Sequence, residues 1–204
     1  MSVVRLYDRW APRYDRDRPL WARWVGGEAE TFLEGVILPR YLPSEREAIM
    51  LDLGCGTAIN LERLKRLDLR VREYVGLDLS LGMLAQARSE WGDRGESLFC
   101  RGDACRLPFL DATFDFVLST WLLSHIAQPS EAVEEALRVL KAGGHLVVLF
   151  WSRPRFPWGL PMWFAERVFQ MRSLRPEEVE GFPGQIVHRQ FASETITLMA
   201  WHKR

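Results

Sequence analysis

The chain has 204 residues, 48% apolar and 26% charged, with 27 basic against 27 acidic side chains. That length suits one domain. The apolar fraction excludes a disordered chain, and zero net charge leaves no global field to gather nucleic acid. The cations are lopsided, 24 Arg to 3 Lys; Arg suits phosphate contacts, and genome composition produces the same bias. Cys55, Cys100 and Cys105 are odd in number and lack zinc-type pairing, which fits a reducing, cytoplasmic compartment and offers no metal centre. No apolar run approaches the roughly 20 residues of a membrane span, and "MSVVRLYDRW" lacks a signal-peptide apolar region.

In chain order, residues 1–48 read as mainly helical up to Pro39 and Pro43, a cap ahead of an alternating core at 49–151. "IMLDLG" reads as a buried strand. "TAINLERLKRL" follows with Leu61, Leu64 and Leu67 at helical spacing. "EYVGLDLS" is a second strand whose Ser80 caps the helix "LGMLAQARSEW". "SLFCRGDA" and "FDFVLSTW" are a third and a fourth strand. "PSEAVEEALRVLKAGG" is a helix with Val133, Ala136, Leu137 and Leu140 on one face and Gly143 as its stop. "HLVVLFW" is a fifth strand, too apolar to be exposed on either face. An insert at 152–185 follows, and 186–204 reads as an antiparallel pair at the sheet edge. The pattern predicts a single α/β domain: a Rossmann-like, doubly wound, mostly parallel sheet with a C-terminal antiparallel pair and an N-terminal helical cap. Ligands of such sheets sit beyond the carboxyl ends of the strands, which puts Asp52, Asp78, Asp103 and Ser119 on one rim.

The loop in "MLDLGCGTAIN" limits the ligand. It has no Lys, so it is not a triphosphate-binding P-loop. Gly54 and Gly56 match two positions of a dinucleotide fingerprint, but Ile59 stands at the third. Asp52, two residues before the first glycine, would repel pyrophosphate and favour a cationic ammonium or sulfonium. The glycines allow close backbone approach, and the helix N-terminus behind them can receive a carboxylate. A zwitterionic amino-acid group beside an adenosine meets these demands.

"LDLGCGTAIN", "YVGLDLSLGML", "RGDACRLPFLDATFDFVLS" and "EALRVLKAGGHLVVLFW" resemble, in order, the motifs of the class I S-adenosylmethionine (SAM)-dependent methyltransferases. "YDRWAPRYD" resembles the branch that includes quinone and phospholipid methyltransferases. One departure is Ala58, where that family usually has a third Gly. The resemblance implies SAM as cofactor. Asp52 and the backbone of Gly54, Cys55, Gly56 and Thr57 would hold its methionine part, and Asp78 both ribose hydroxyls. Leu79 and Met83 would pack on adenine, Asp103 and Ala104 would meet its amine edge, and Ser119 would lie by the amino-acid end.

A sulfonium methyl is intrinsically electrophilic, so a base is needed only when the acceptor carries a proton. Tyr7, Tyr14 and His125 are the candidates, with Tyr14 and His125 expected to be the catalytic pair. Acceptor choice falls to the variable segments. Tyr7–Trp24 interleaves Trp10, Trp21 and Trp24 with five Arg, and the insert repeats that chemistry with Trp151, Trp158, Trp163, Phe156, Phe164 and five Arg. Such segments fit either an inward-packed lid or a peripheral membrane contact; nucleic acid is disfavoured. The expected function is methyl transfer to a small, amphipathic acceptor, specifically a phospholipid amine head group. A quinone-precursor C-methyltransferase or a soluble-metabolite methyltransferase is the alternative. An NAD-dependent oxidoreductase and a non-catalytic SAM-binding module also stand open.

Overall fold

The structure is a computed structural model that describes residues 3–21, 26–43, 48–92, 97–153 and 159–204, with the backbone alone at 19–21, 159–162 and 165. Trp24, Phe156 and Trp158 lie outside the described residues, as does the side chain of Trp21.

β1 (Ile49–Leu53) pairs in parallel with β2 (Glu73–Asp78) on one side and β4 (Phe114–Thr120) on the other. β3 (Ser97–Arg101) extends the sheet beyond β2, and β5 (Leu140–Trp151) extends it beyond β4. β7 (Ile196–His202) and β6 (Gln185–Phe191) close that side antiparallel, giving seven strands in the order β3-β2-β1-β4-β5-β7-β6. The strand order reverses between β1 and β4, with β2 and β3 added on one side and β4 and β5 on the other, and this opens a crevice at the strand ends.

Alternation along the strands sorts the core into two layers. Met50, Tyr74, Phe116 and Leu118 face one layer, completed by Leu33, Ile37 and Leu38 of the N-terminal helices. Leu51, Leu53, Val117 and Val148 face the other, covered by Ala132, Val133, Ala136 and Val139. The core-lining helices are α4 (Ile59–Arg66), α5 (Leu81–Trp91) and α6 (Pro129–Val139). Ser80 caps α5 as the sequence predicts, its Oγ accepting from Met83 N at 3.2 Å. The predicted end of α6 is corrected. The helix stops at Val139 because Leu140 pairs with Phe114, and Gly143, at φ 81°, lies within β5.

The cap consists of α1 (Val3–Trp21), α2 (Gly27–Phe32), a π-helical turn (Leu33–Ile37) and α3 (Leu38–Tyr41). The π turn ends two residues before Pro39, which has no N–H to donate. α1 crosses α5 closely, fastened by Asp8. Its Oδ1 accepts from Ser80 Oγ at 2.6 Å and from Gly82 N at 2.9 Å. α7 (Gly159–Phe169) follows β5.

Gly82 is required by that crossing. A Cβ there would lie 2.8 Å from the Asp8 carbonyl oxygen and 2.9 Å from its Cα. Gly→Ala in a helix interior ordinarily stabilises by about 0.5–1 kcal/mol. Here Gly82→Ala should instead destabilise by about 1–3 kcal/mol, the cost of overpacking, and thermal unfolding reads the sign. A raised melting temperature would mean that α1 does not dock on α5 in this way.

Candidate active site

A cavity of about 150 Å³ lies at the carboxyl ends of β1, β2 and β4, beneath α1. Nine of the thirteen predicted site residues line it: Gly54, Gly56, Asp78, Leu79, Met83, Asp103, Ala104, Tyr14 and His125. Gly54 and Gly56 have φ of 70° and 55°, and a Cβ on Gly56 would meet nothing within 4 Å, so the bare backbone opens onto the cavity. Asp78 ends β2. Its Oδ2 accepts from Gly56 N at 2.9 Å and its Oδ1 from Ser80 N at 2.8 Å. Burial raises its pKa, opposed by these backbone N–H groups. Asp103 Oδ1 accepts from Cys105 N at 2.9 Å.

Four predicted residues lie elsewhere. Asp52 shares the Met50 face of β1, and Leu53 still follows it in the strand, so its side chain turns under α4 rather than out of the strand end. It is 0% exposed. Its carboxylate accepts from Asn60 Nδ2 at 2.9 and 3.0 Å and from the Tyr74 hydroxyl. Burial pushes its pKa up to about 6, against the pull of Tyr74, Asn60 and Arg63. Asp52 therefore does not stand at the loop mouth, and it repels nothing there. Ser119 does not end β4; Thr120 does. Ser119 shares the Val117 face and is buried, whereas Thr120 and Trp121 reach the cavity. The Cys55 side chain turns toward Gly76 of β2. Thr57 Oγ1 donates to Asp15 Oδ1 at 2.6 Å, a second fastening of α1. Ala58 takes the left-handed φ of 67° at the position of the missing glycine. A non-glycine residue there costs about 1–2 kcal/mol.

Sequence reasoning undervalued Tyr7 and missed Trp121. Tyr7 lines the cavity, its hydroxyl 3.0 Å from His125 Nε2. His125 Nδ1 lies 3.3 Å from the Gln170 carbonyl oxygen. A carbonyl only accepts, so Nδ1 carries the proton, Nε2 presents its lone pair, and the Tyr7 hydroxyl donates to it. Burial lowers the His125 pKa and holds the ring neutral. Burial likewise raises the Tyr7 pKa and pushes Tyr14 up to about 12, so both phenols stay protonated. Trp121, at φ 68°, is held by Glu30, whose Oε1 accepts from its Nε1 at 3.2 Å and from Arg18 Nη2 at 2.5 Å. Three-dimensional contacts mark Trp121, with Glu30 and with the Trp151 ring at 5.1 Å; no local motif does.

A methyltransferase-domain family model matches residues 51–148. A demethylmenaquinone methyltransferase of Parafrankia is 31% identical, the match covering 98% of this chain and 86% of that one. The chain belongs to the class I SAM-dependent methyltransferase family. A demethylmenaquinone methyltransferase of Renibacterium salmoninarum is 34% identical over 76% of this chain, and this chain spans only 61% of that relative's length. Among solved structures, a chain in the complex between the Haloferax volcanii Trm112 methyltransferase activator and a methyltransferase has the same fold (23% identity, TM-score 0.72, 96% of each chain covered). The family's cofactor is SAM, and the cavity suits it. The floor carries a carboxylate with two acceptor oxygens for a diol, the Gly56 backbone lies open, and Met83 and Leu79 give an apolar wall.

The position of Asp52 sets its mutational signature. Asp52→Asn leaves one acceptor oxygen for donors from Asn60 and Tyr74 and should cost about 1–3 kcal/mol of stability at pH 7. Because the folded pKa is raised above the unfolded value of 3.8, ionised Asp52 opposes folding progressively as pH rises toward about 6. The loss in Asp52→Asn should therefore be smaller at pH 7 than the loss of its hydrogen bonds alone. Thermal unfolding checks this; an unchanged melting temperature with a selective loss of SAM affinity would restore a direct role in binding.

Proposed function

We propose that this protein transfers a methyl group from SAM to a small acceptor that carries an ionisable hydroxyl, of the aromatic hydroquinone class. The Tyr7–His125 pair on an otherwise apolar wall carries this reading. Val3, Val4, Leu122 and Ile126 supply that wall, and among the described residues lining the cavity there is no Lys or Arg. A phosphate-bearing head group would lack a cation there, which weighs against the phospholipid amine acceptor; a flat, neutral ring fits. The names of the curated relatives support the same choice.

SAM supplies an electrophilic sulfonium methyl. Asp78 would hold its ribose hydroxyls, Leu79 and Met83 its adenine, Asp103 and Ala104 the amine edge of that ring, and the Gly54–Gly56 backbone its amino-acid end. Tyr7 takes the acceptor's hydroxyl proton as its own passes to His125 Nε2, leaving an imidazolium held by the Gln170 carbonyl. Tyr14, kept protonated, donates a hydrogen bond that orients the acceptor. Closure of α1 over the cavity excludes water.

Calorimetry with SAM and its demethylated product should show both weakened alike by Asp78→Ala; unchanged affinity would remove Asp78 from the ribose role, and binding of NAD without SAM would overturn the reading. For the base, activity requires neutral His125. Its pKa lies below the ordinary 6.5, so kcat/KM toward a hydroquinone should be flat above that pH and fall as pH drops through the lowered value. Tyr7→Phe and His125→Asn should each lower kcat by about 10²–10⁴-fold with SAM affinity retained. An acid limb that persists in His125→Asn would assign it to another group.

A further inference from the structure

α1 and α7 meet where Trp10 stacks on Phe169, at a centroid distance of 6.1 Å. Tyr7 and Tyr14 of α1 line the cavity. On its opposite face Arg5, Arg9, Pro12, Arg13 and Arg16 are exposed at helical spacing. Of the acids beside them, Asp8 is held at α5, Asp15 is itself exposed and accepts from Thr57, and Asp17 accepts from Trp10 Nε1 at 3.1 Å and pairs with Arg16 Nε at 3.1 Å. On α7, Glu166 and Phe169 face inward, Glu166 accepting from Ser173 N at 2.8 Å. The other face presents Trp163, Phe164 and Val168, exposed by 58%, 65% and 50%, with exposed Arg167 among them.

We propose that this joint surface docks on an anionic phospholipid bilayer, from which a lipophilic acceptor enters the cavity. The docking surface stands on its own residues; the acceptor's entry rests on the reading under Proposed function. Charge complementarity selects the occupant. A row of guanidinium groups suits lipid phosphate, and the neighbouring aromatic ridge suits the headgroup level. Val3 and Val4, at the start of the basic helix, line the cavity, so the N-terminal end of α1 carries both the cavity wall and, on its other face, Arg5. The insert's aromatics at 163 and 164 therefore do not pack inward as a lid.

Vesicle co-sedimentation tests the surface. At low salt the protein should pellet with phosphatidylglycerol vesicles and much less with phosphatidylcholine alone, and high salt should release it. Trp163→Ala with Phe164→Ala, and separately Arg5→Ala with Arg13→Ala, should each weaken binding by about tenfold or more. These residues are exposed, so melting temperature, SAM affinity and methylation of a short-chain, water-soluble hydroquinone should stay unchanged. Absence from the pellet, binding by both variants as tight as wild type, or preference for a single-stranded oligonucleotide would overturn the proposal. So would a concentration-dependent dimer that Trp163→Ala with Phe164→Ala abolishes, if vesicles are not bound. Methylation of the soluble hydroquinone without vesicle binding overturns the surface alone. Vesicle binding without methylation of any hydroquinone overturns the acceptor reading alone.

Discussion

The Asp78 carboxylate holds the centre of the molecule. One oxygen takes the Gly56 N–H from the loop after β1, and the other takes the Ser80 N–H at the start of α5. Two loops from two strands are thereby fixed to one side chain at the crevice. Burying a charge is costly unless such donors compensate it, and here oriented backbone dipoles do so. Ser80 then caps α5 and binds Asp8, so the position of α1 also descends from Asp78.

α1 turns that fixed floor into an enclosed site through a repeat of two residue types. Tyr7-Asp8 and Tyr14-Asp15 lie seven residues apart, two helical turns, so each pair presents the same geometry. The aspartates fasten the helix to α5 and to the glycine loop, and the tyrosines face the cavity. One helix is wall and fastening together. Behind the loop, Arg63 is nearly buried between Glu30, Glu34 and Asn60. Breaking a buried pair of this kind costs about 3–5 kcal/mol, which ties the cap to α4 as firmly as Asp8 ties it to α5. α7 reaches the same site from the other side, because the Gln170 carbonyl just beyond it sets the His125 tautomer.

Most of the fold was legible because its signals are local. Apolar runs, the Ser80 cap and the strand–helix alternation each lie within a dozen residues. Asp78 was legible because it ends β2, and Asp103 and the glycines because they lie just beyond the ends of β3 and β1. Asp52 and Ser119 were misplaced for one reason: a strand-end residue faces the crevice only when the strand stops there, and each of these strands runs one residue further. The preference for a sulfonium over pyrophosphate thus reached the right family through a carboxylate that sits in the core; Asp78 and Asp103 are the acids on the cavity. Tyr7 could not be ranked above Tyr14 from sequence, since its partner lies 118 positions away. Trp121 was illegible because a left-handed φ on a tryptophan has no sequence signature.

Among the described residues, the cavity lining combines two carboxylates, an apolar wall and one imidazole, the set on which the proposed uncharged acceptor rests. Determining the structure with S-adenosylhomocysteine bound tests this arrangement most directly. The account predicts the ribose hydroxyls on Asp78, adenine between Met83 and Leu79, and the sulfur directed toward Tyr7, Tyr14 and His125. Density for the ligand outside the cavity beneath α1, or bound there with Asp78 making no contact to the ribose, would contradict it.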